Sequence, residues 1–218
     1  MPSCLGMDLR GHRPRQLRWS ATDRECGEPL PGDDLIADHD LAATRAITIR
    51  APASQVWPWI VQLGQGRGGF YSYDFLENLI GCDIHSAGRI VPEWQDLKPG
   101  DQVKLAPQAG LAVAHLEPGR SVVLRGGVPM GNTAPPYDFT WAFVLKDEPD
   151  GTTRLLVRER YAYMRPQARL LVEPAAAVSF IMSQKMLRGI RDRAENARRP
   201  SAGIRPQADG LGPRPAPN

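Results

Sequence analysis

The feature that most constrains the fold of this chain is a series of short apolar runs, separated by turn residues, that leads into one long amphipathic stretch. The runs are GRIVPEW, DQVKLAP, LAVAHLE, SVVLRGG, DFTWAFVLKD and TRLLVRERYAY. The turns LKPGD, EPGR and DEPDGT each contain the Gly or Pro that a tight turn requires. Short apolar runs with turns between them indicate an antiparallel meander.

The amphipathic stretch after the meander predicts a single long C-terminal helix. Pro174 suits the first turn of a helix, so we expect the helix to run from about Glu173 to Ala197. Four apolar residues recur along it at four-residue spacing: Val178, Met182, Met186 and Ile190. Such a stripe must pack against another apolar surface, and the predicted sheet supplies one.

The segment before the meander predicts a leader, one strand and two short helices. Residues 1–43 are rich in Pro, Gly and acids, which indicates an irregular leader with one short helix near Trp19–Cys26. In ATRAITIRAP, Ile47 and Ile49 alternate with polar residues, as they do in a strand. QVWPWIVQLG and DFLENL then have the apolar spacing of two short helices. We therefore expect one domain over residues 44–198.

Composition limits the classes of protein to which the chain belongs. With 218 residues and 42% hydrophobic residues, it is long enough to bury one sizeable core. No apolar run reaches about 18 residues, so we expect no membrane span. The net charge is only +3, and no Lys/Arg cluster is interleaved with aromatic residues, so we expect no nucleic-acid partner. Residues 199–218 form a Pro/Gly-rich tail that we expect to be disordered.

The cysteines and the first residues favour a cytoplasmic protein. Cys4, Cys26 and Cys82 are odd in number and far apart, which indicates reduced thiols and no disulfide framework. The opening MPSCLGMDLRGHRPRQ has no apolar segment of the kind found in a secretion signal. Nothing in the sequence indicates the oligomeric state.

Two short motifs suggest chemistry that their surroundings do not support. Gly64-x-Gly66-x-x-Gly69 has the spacing of a dinucleotide-binding loop, but that loop requires a preceding strand and a following helix of small residues. Here a helix is predicted before it and tyrosines follow it, so we expect a turn and no cofactor. Cys82-Asp83-Ile84-His85 combines a thiol, a carboxylate and an imidazole, but no third spaced ligand accompanies them. We expect a connecting loop and no metal site there.

The residues of the N-terminal half also resemble a known superfamily. AITIRAPASQVWPWIVQLGQGRGGFYSYDFLENLIG, followed by HSAGRIVPEWQDLKPGD, is similar to the START-like, polyketide cyclase/dehydrase-related superfamily (SRPBCC), and RGGFYSYD, IVPEWQ and the upstream PGDDL resemble a bacterial subgroup of it. The resemblance covers roughly residues 18–198. It implies an α+β helix-grip fold, in which a curved antiparallel sheet wraps around the long C-terminal helix. It does not imply one activity, because the superfamily includes lipid carriers, receptors, aromatases, cyclases and chaperone activators.

The implied fold leaves a cavity between sheet and helix, and strand periodicity predicts its wall. Alternate residues of DFTWAFVLKD and TRLLVRERYAY share one largely aromatic or aliphatic face. Large amphipathic rings after the first helix suit the cavity mouth. The predicted ligand-binding residues are Tyr71, Tyr73, Trp94, Arg125, Phe139, Trp141, Phe143, Val157, Glu159, Tyr161, Met182 and Met186.

Glu159 is the candidate catalytic residue, because it is a carboxylate in an otherwise apolar row. One interpretation is a pocket acid whose pKa is raised by burial and which transfers a proton or orients a ligand. The alternative is an acid paired with an arginine such as Arg125 or Arg89, or one that reaches water at a strand end. Arg125 itself is either a pocket cation or the last solvated residue of its strand.

Three functions are compatible with these observations. The first is a ligand-binding domain that holds a hydrophobic or aromatic small molecule in the cavity. The second is a polyketide cyclase- or aromatase-like enzyme, in which Glu159 or a tyrosine moves protons on a ketone substrate. The third is a protein-interaction module with a collapsed cavity. An open cavity would favour the first two over the third.

Overall fold

The structure is a computed structural model that describes residues 17–79, 81–127 and 134–197. The predicted tail at residues 199–218 and the first 16 residues of the predicted leader lie outside this range. Four α-helices are described: α1 (Asp23–Gly27), α2 (Ala53–Val61), α3 (Asp74–Leu79) and α4 (Ala168–Asn196). Six strands are described: β1 (Leu41–Ile49), β2 (Gln102–Ala106), β3 (Ala109–Glu117), β4 (Ser121–Gly126), β5 (Tyr137–Asp147) and β6 (Thr153–Tyr163). Short 3-10 helices lie at Asp33–Ile36 and Pro92–Trp94.

The strands form one antiparallel sheet in the order β1-β6-β5-β4-β3-β2. Strands β2 to β6 follow one another in the sheet as a meander, and the predicted turns EPGR and DEPDGT join β3 to β4 and β5 to β6. The run GRIVPEW was predicted as part of the meander but contains a 3-10 helix and no strand, and the turn LKPGD precedes β2. Strand β1 breaks that order by pairing with β6 along its whole length, from Leu41 opposite Tyr161 to Ile49 opposite Thr153. Helix α4 covers one face of the sheet. The predicted α+β helix-grip architecture is therefore confirmed.

Helix α4 differs from its prediction in both length and orientation. It begins at Ala168, five residues before the predicted start, and Pro174 lies inside it. Val178, predicted to be buried, is 62% exposed, while Leu187 and Ile190 are fully buried. The error has a geometric cause. A helix turns by about 100° per residue, so residues four apart drift by about 40° per step, and Val178 points about 120° away from Ile190.

The half of the domain around α2 is closely packed. Val56, Trp59 and Ile60 of α2 are each no more than 4% exposed. They belong to one hydrophobic cluster with Phe143 on the sheet and with Leu187 and Ile190 on α4. We call this region the closed half.

The predicted leader is part of the domain structure where it is described. Helix α1 corresponds to the short helix predicted near Trp19–Cys26, and β1 begins at Leu41, within the range predicted as leader. This segment packs on the face of the sheet opposite α4, around a small cluster that includes Leu30 and Leu156. The guanidinium of Arg158, 3% exposed, fixes it there. Arg158 donates to the carbonyls of Glu25 (2.6 Å), Cys26 (3.2 Å) and Glu28 (2.9 Å) and to the carboxylate of Asp33 (2.5 Å).

Helix α4 is the described helix that is long and apolar enough to cross a membrane, with a mean hydropathy of 1.2 over its most apolar 18 residues. Length and composition alone are weak evidence for a span. Met186, Leu187 and Ile190 of this helix are buried in the domain core. Its packing is that of a core helix in a globular domain.

Candidate functional site

An open cavity of about 250 Å³ lies between the sheet and the first half of α4. Its wall combines aromatic rings, thioethers, three serines and one carboxylate. The lining residues are Phe70, Ser72, Leu105, Tyr137, Phe139, Trp141, Glu159, Tyr161, Ser179, Met182, Ser183 and Met186. We call this region of the domain the open half.

The side chains of α4 differ between the two halves of the domain. Two serines, Ser179 and Ser183, and two methionines, Met182 and Met186, line the cavity. Farther along the helix, Leu187 and Ile190 are buried in the core. The small serines at two of the four lining positions leave room on the cavity side of the helix.

Aromatic rings from β5 and β6 form the floor of the cavity. The rings of Phe139 and Tyr161 lie 4.6 Å apart, and those of Tyr137 and Tyr161 lie 5.8 Å apart. Trp141 continues the row and contacts Phe70 at 6.0 Å between ring centroids. These separations fall in the range at which aromatic pairs attract each other. The floor is therefore a preformed surface on which a planar apolar molecule can lie.

A buried ion pair adjoins this floor. Arg45 of β1 is 0% exposed, and its Nη1 lies 2.7 Å from Oε1 of Glu159. Arg45 faces the core because it precedes the inward-facing Ile47 by two residues. Glu159 also accepts hydrogen bonds from Ser179 (2.8 Å) and Ser183 (3.4 Å). The carboxylate is thus held in place by a second strand and by α4.

The second oxygen of Glu159 has more room to accept a hydrogen bond. Among the described residues, Oε2 receives only a long contact of 3.4 Å from the hydroxyl of Tyr161. Burial, and then the charge of Glu159, raises the pKa of Tyr161 well above its usual value of 10. Tyr161 therefore keeps its proton at neutral pH and can donate it in a hydrogen bond.

Two residues beside Glu159 have buried donor atoms without a protein partner among the described residues. These atoms are Nε and Nη2 of Arg45 and Nε1 of Trp141. Trp141 lies directly opposite Glu159 across the β5–β6 pair and lines the cavity, whereas Arg45 is not part of its wall. Most buried donors in folded proteins have a partner.

Six of the twelve predicted ligand-binding residues lie in the cavity wall: Phe139, Trp141, Glu159, Tyr161, Met182 and Met186. Phe143 and Val157 point the same way but lie in the packed core, where they are 1% and 0% exposed. Glu159 is paired with an arginine, as one of the two interpretations requires. The partner is Arg45, however, and neither Arg125 nor Arg89.

Tyr71 is a structural residue outside the cavity wall. Its hydroxyl accepts a hydrogen bond from Gln62 (2.9 Å) and donates one to the carbonyl of Trp59 (3.1 Å), and burial raises its pKa to about 12. Its backbone has a positive φ of 55°, and it contacts α4 at Gly189, where an added Cβ would lie 2.4 Å from the carbonyl oxygen of Tyr71. The ring is turned away from the cavity, which places Phe70 and Ser72 there instead.

The remaining predicted residues lie elsewhere. Tyr73 is 40% exposed and lies beside Lys185 of α4. The carbonyl of Trp94 accepts a hydrogen bond of 2.6 Å from Arg67. Arg125 forms a partly exposed ion pair of 2.7 Å with Asp138, so it is the solvated strand residue of the two alternatives.

Arg45 is the most important residue that sequence reasoning missed. The alternation that placed Ile47 and Ile49 inside also places Arg45 inside, so the signal was present. Tyr137 was missed in the same way: it lies two residues before Phe139 on β5, so the same alternation places it on the cavity face. Ser179 and Ser183 were not found, because the predicted stripe of α4 consisted of apolar residues alone and began at Val178, which is exposed.

The structure places the two short motifs, Gly64–Gly69 and Cys82–His85, in loops. The loop between α2 and α3 is closed by reciprocal backbone hydrogen bonds of 3.0 Å between Gly64 and Gly69, so these amides already have partners. In the second motif, Nε2 of His85 lies 3.3 Å from Asp83 on the surface. Within the described ranges, no three His, Cys, Asp or Glu side chains come together as a metal site would require.

Comparison with known proteins finds similar solved structures at low sequence identity. No family model matches this sequence, and no curated protein matches it. The Zhui aromatase/cyclase from Streptomyces sp. R1128 is a similar solved structure, with 15% identity, a TM-score of 0.43, and coverage of 75% of this chain and 99% of that chain. CalU16 from Micromonospora echinospora is similar at 18% identity and a TM-score of 0.35, over 71% of this chain and 84% of that chain.

A third similar structure is the hypothetical protein jhp0584 from Helicobacter pylori, with 11% identity and a TM-score of 0.48, over 76% of this chain and 95% of that chain. The strand order and the position of α4 give the chain a helix-grip fold. At these identities and TM-scores, the similarities say nothing about activity.

Proposed function

We propose that this domain binds a hydrophobic or aromatic small molecule in the cavity between the sheet and α4. The observation that carries the proposal is an open space of about 250 Å³ with an aromatic floor, in a domain whose other half is closely packed. Apolar walls with a few placed polar groups are the usual composition of small-molecule sites. An open cavity also speaks against the alternative of an interaction module with a collapsed cavity.

The size of the cavity limits the ligand. At 250 Å³ it lies just below the usual range for drug-sized ligands, about 300–1,000 Å³, so we expect a molecule of one or two rings. Burying about 200–300 Å² of apolar ligand surface contributes about 5–7 kcal/mol before the costs of association. After those costs, a molecule that is not the natural ligand should bind in the micromolar-to-millimolar range.

The polar part of the wall orients the ligand. Oε2 of Glu159 can accept a hydrogen bond, and the hydroxyl of Tyr161 can donate one. A ligand hydroxyl can satisfy both, because a hydroxyl donates one hydrogen bond and accepts others. We therefore expect the ligand to place a hydroxyl beside Glu159 and its rings against Phe139 and Tyr161.

Binding of 2-naphthol, followed by its own fluorescence or by calorimetry, tests this proposal. Met182→Trp should fill the cavity and weaken binding at least tenfold. Ile181→Trp is the matched control, because Ile181 is 55% exposed on the same helix and outside the cavity wall. Binding that is equally strong in all three proteins, or absent from the wild type, would contradict the proposal.

Chemistry on a ketone is the second candidate, and Tyr161 is the observation in its favour. A protonated tyrosine in an apolar wall can donate a hydrogen bond to a carbonyl oxygen as negative charge develops there. Tyr161→Phe keeps the ring and removes the donor. A loss of ketone turnover much larger than the loss of 2-naphthol binding would favour the enzyme, whereas no turnover by the wild type on polyketone substrates would favour binding alone.

A further inference from the structure

The outer surface of α4 is unusually apolar over its first half. Leu170, Val178 and Ile181 are 81%, 62% and 55% exposed. Together with the exposed Pro174 and Ala177 they fall within a sector of about 100° on the helix, at about 100° per residue. We call these five residues the outer stripe. It faces away from the sheet, since Val172 and Ala176 make the buried face of the same turns.

The packing of the domain does not explain the outer stripe. A helix on the surface of a globular protein needs one apolar face, and its opposite face is normally polar. Here both faces are apolar from Leu170 to Ile181, and the outer one becomes polar only at Lys185 and Arg188. Contiguous exposed apolar surface on a helix is typical of an interaction site.

Positive charges flank the outer stripe at both ends. Arg165 and Arg169 precede it, Lys185 and Arg188 follow it, and all four are exposed. Glu173 is the only acid in residues 164–188, so four cations and one acid give this segment a charge of +3. Glu173 is itself paired with Arg169 at 2.7 Å. The surface is thus an apolar strip between two cationic ends.

This charge distribution decides between two possible occupants. If a second copy of the chain packed against the stripe in an antiparallel manner, Arg165 and Arg169 would meet Lys185 and Arg188 of that copy. A parallel arrangement would bring each cationic end against itself. Either dimer therefore opposes like charges at both ends, whereas an anionic surface complements both at once.

We propose that the outer stripe docks this domain on an anionic lipid surface, with α4 lying in the plane of the headgroups. An apolar face with cations beside it is the pattern of a helix that lies at a membrane interface. The helix does not need to leave the domain, because Met186, Leu187 and Ile190 on its other face remain in the core.

Docking of this kind would bring the cavity close to the lipid. Ser179 and Met182, which line the cavity, belong to the same helical turns as Val178 and Ile181 of the stripe. Tyr73, which precedes α3, lies beside Lys185 of α4, and Phe75 and Leu79 of α3 are 77% and 72% exposed. Lipid binding does not depend on the proposed ligand, so the two proposals can fail separately.

Cosedimentation of the full chain with lipid vesicles tests the proposal. The protein should bind vesicles that contain one third phosphatidylglycerol, and binding should be about tenfold weaker to pure phosphatidylcholine or in about 1 M salt, which screens surface charge. Equal binding to both kinds of vesicle, or to neither, would overturn the proposal.

Two variants locate the surface. Val178→Ser/Ile181→Ser should weaken vesicle binding about tenfold while leaving the urea unfolding midpoint unchanged, since both residues are exposed. Lys185→Glu/Arg188→Glu should weaken binding to anionic vesicles alone. Ala114→Ser, at an exposed position on β3, is the control and should change nothing. A different outcome would overturn the proposal in favour of a dimer. The wild type would be a dimer that does not bind vesicles, and the Val178→Ser/Ile181→Ser variant would be a monomer. The outer stripe would then be an interface with a second copy of the chain.

Discussion

The closed and open halves of this domain share one sheet and one helix but differ in how well they are filled. A space in the described closed half, between Ile60, Leu97 and Phe143, is only about 10 Å³, at the lower limit for holding one water. The open half encloses about 250 Å³. Since the backbone architecture is continuous between them, the two halves differ in the side chains that face each space, with Ser179 and Ser183 of α4 on the open side.

The comparison indicates that the side chains at a few positions determine where the cavity lies. Ser179 and Ser183 of α4 face the open half, and Leu187 and Ile190 face the closed half. A second difference is charge. The open half adjoins the buried Arg45–Glu159 pair, whereas the fully buried polar side chain beside α2, that of Gln62, is uncharged. Buried polar and charged groups need hydrogen bonds, and these fix the groups around them.

The largest expected effect concerns this ion pair. Arg45→Met removes the partner of a carboxylate that is 2% exposed, so we expect the free energy of unfolding to fall by about 3–5 kcal/mol. Urea denaturation measures the change. The double variant Arg45→Met/Glu159→Met replaces both charges and should recover most of the loss. A single variant as stable as the wild type would show that the open half does not depend on the pair.

The next effect compares the two halves directly. Leu187→Ala creates a hole in the closed half and should destabilise the protein by about 2–5 kcal/mol. Met182→Ala removes a side chain that already borders open space, so we expect less than about 1 kcal/mol. Leu170→Ala, at an 81% exposed position, is the control for helix propensity. Equal losses at 182 and 187 would mean that the open half is packed as tightly as the closed half.

The architecture could be predicted from the sequence because its signals are local. Alternation within β5 and β6 placed Phe139, Trp141 and Tyr161 on one face, and the structure finds them in the cavity wall. Pairing between β1 and β6 is not local, so nothing in the sequence identified Arg45 as the partner of Glu159.

The loops and α4 were harder to predict for other reasons. The ring of Tyr71 leaves the cavity because the chain takes a positive φ at that residue, which no pattern of side chains reveals. The four-residue spacing from Val178 to Ile190 drifts around the helix, so the predicted stripe combined an exposed residue with buried ones. The cavity could therefore be placed from sequence together with Met182 and Met186 of α4, but not Ser179 and Ser183 beside them.

The smallest effect concerns the back of the sheet, where the leader is attached. Glu25 forms a 2.7 Å ion pair with Arg154, and hydrogen bonds from Arg154 lower the pKa of Glu25 from 4.5 to about 2. Because the folded-state pKa is the lower one, this stabilisation is complete above pH 4.5 and is lost as the pH falls toward 2. The pair is partly exposed, so we expect less than about 1 kcal/mol. The urea midpoint of the wild type should fall between pH 6 and pH 3, and Glu25→Gln should reduce that fall. A fall of the same size in the variant would contradict the role given to the Glu25–Arg154 pair.

The most direct test of the central claim, that the open half is a ligand site, is a crystal structure of the protein with 2-naphthol. We predict ring density between Phe139, Tyr161 and Met182, with the naphthol oxygen within hydrogen-bonding distance of Glu159. The closed half should be unchanged, since it has no room for the ligand. A cavity filled by its own side chains, or naphthol bound only outside this wall, would contradict the claim.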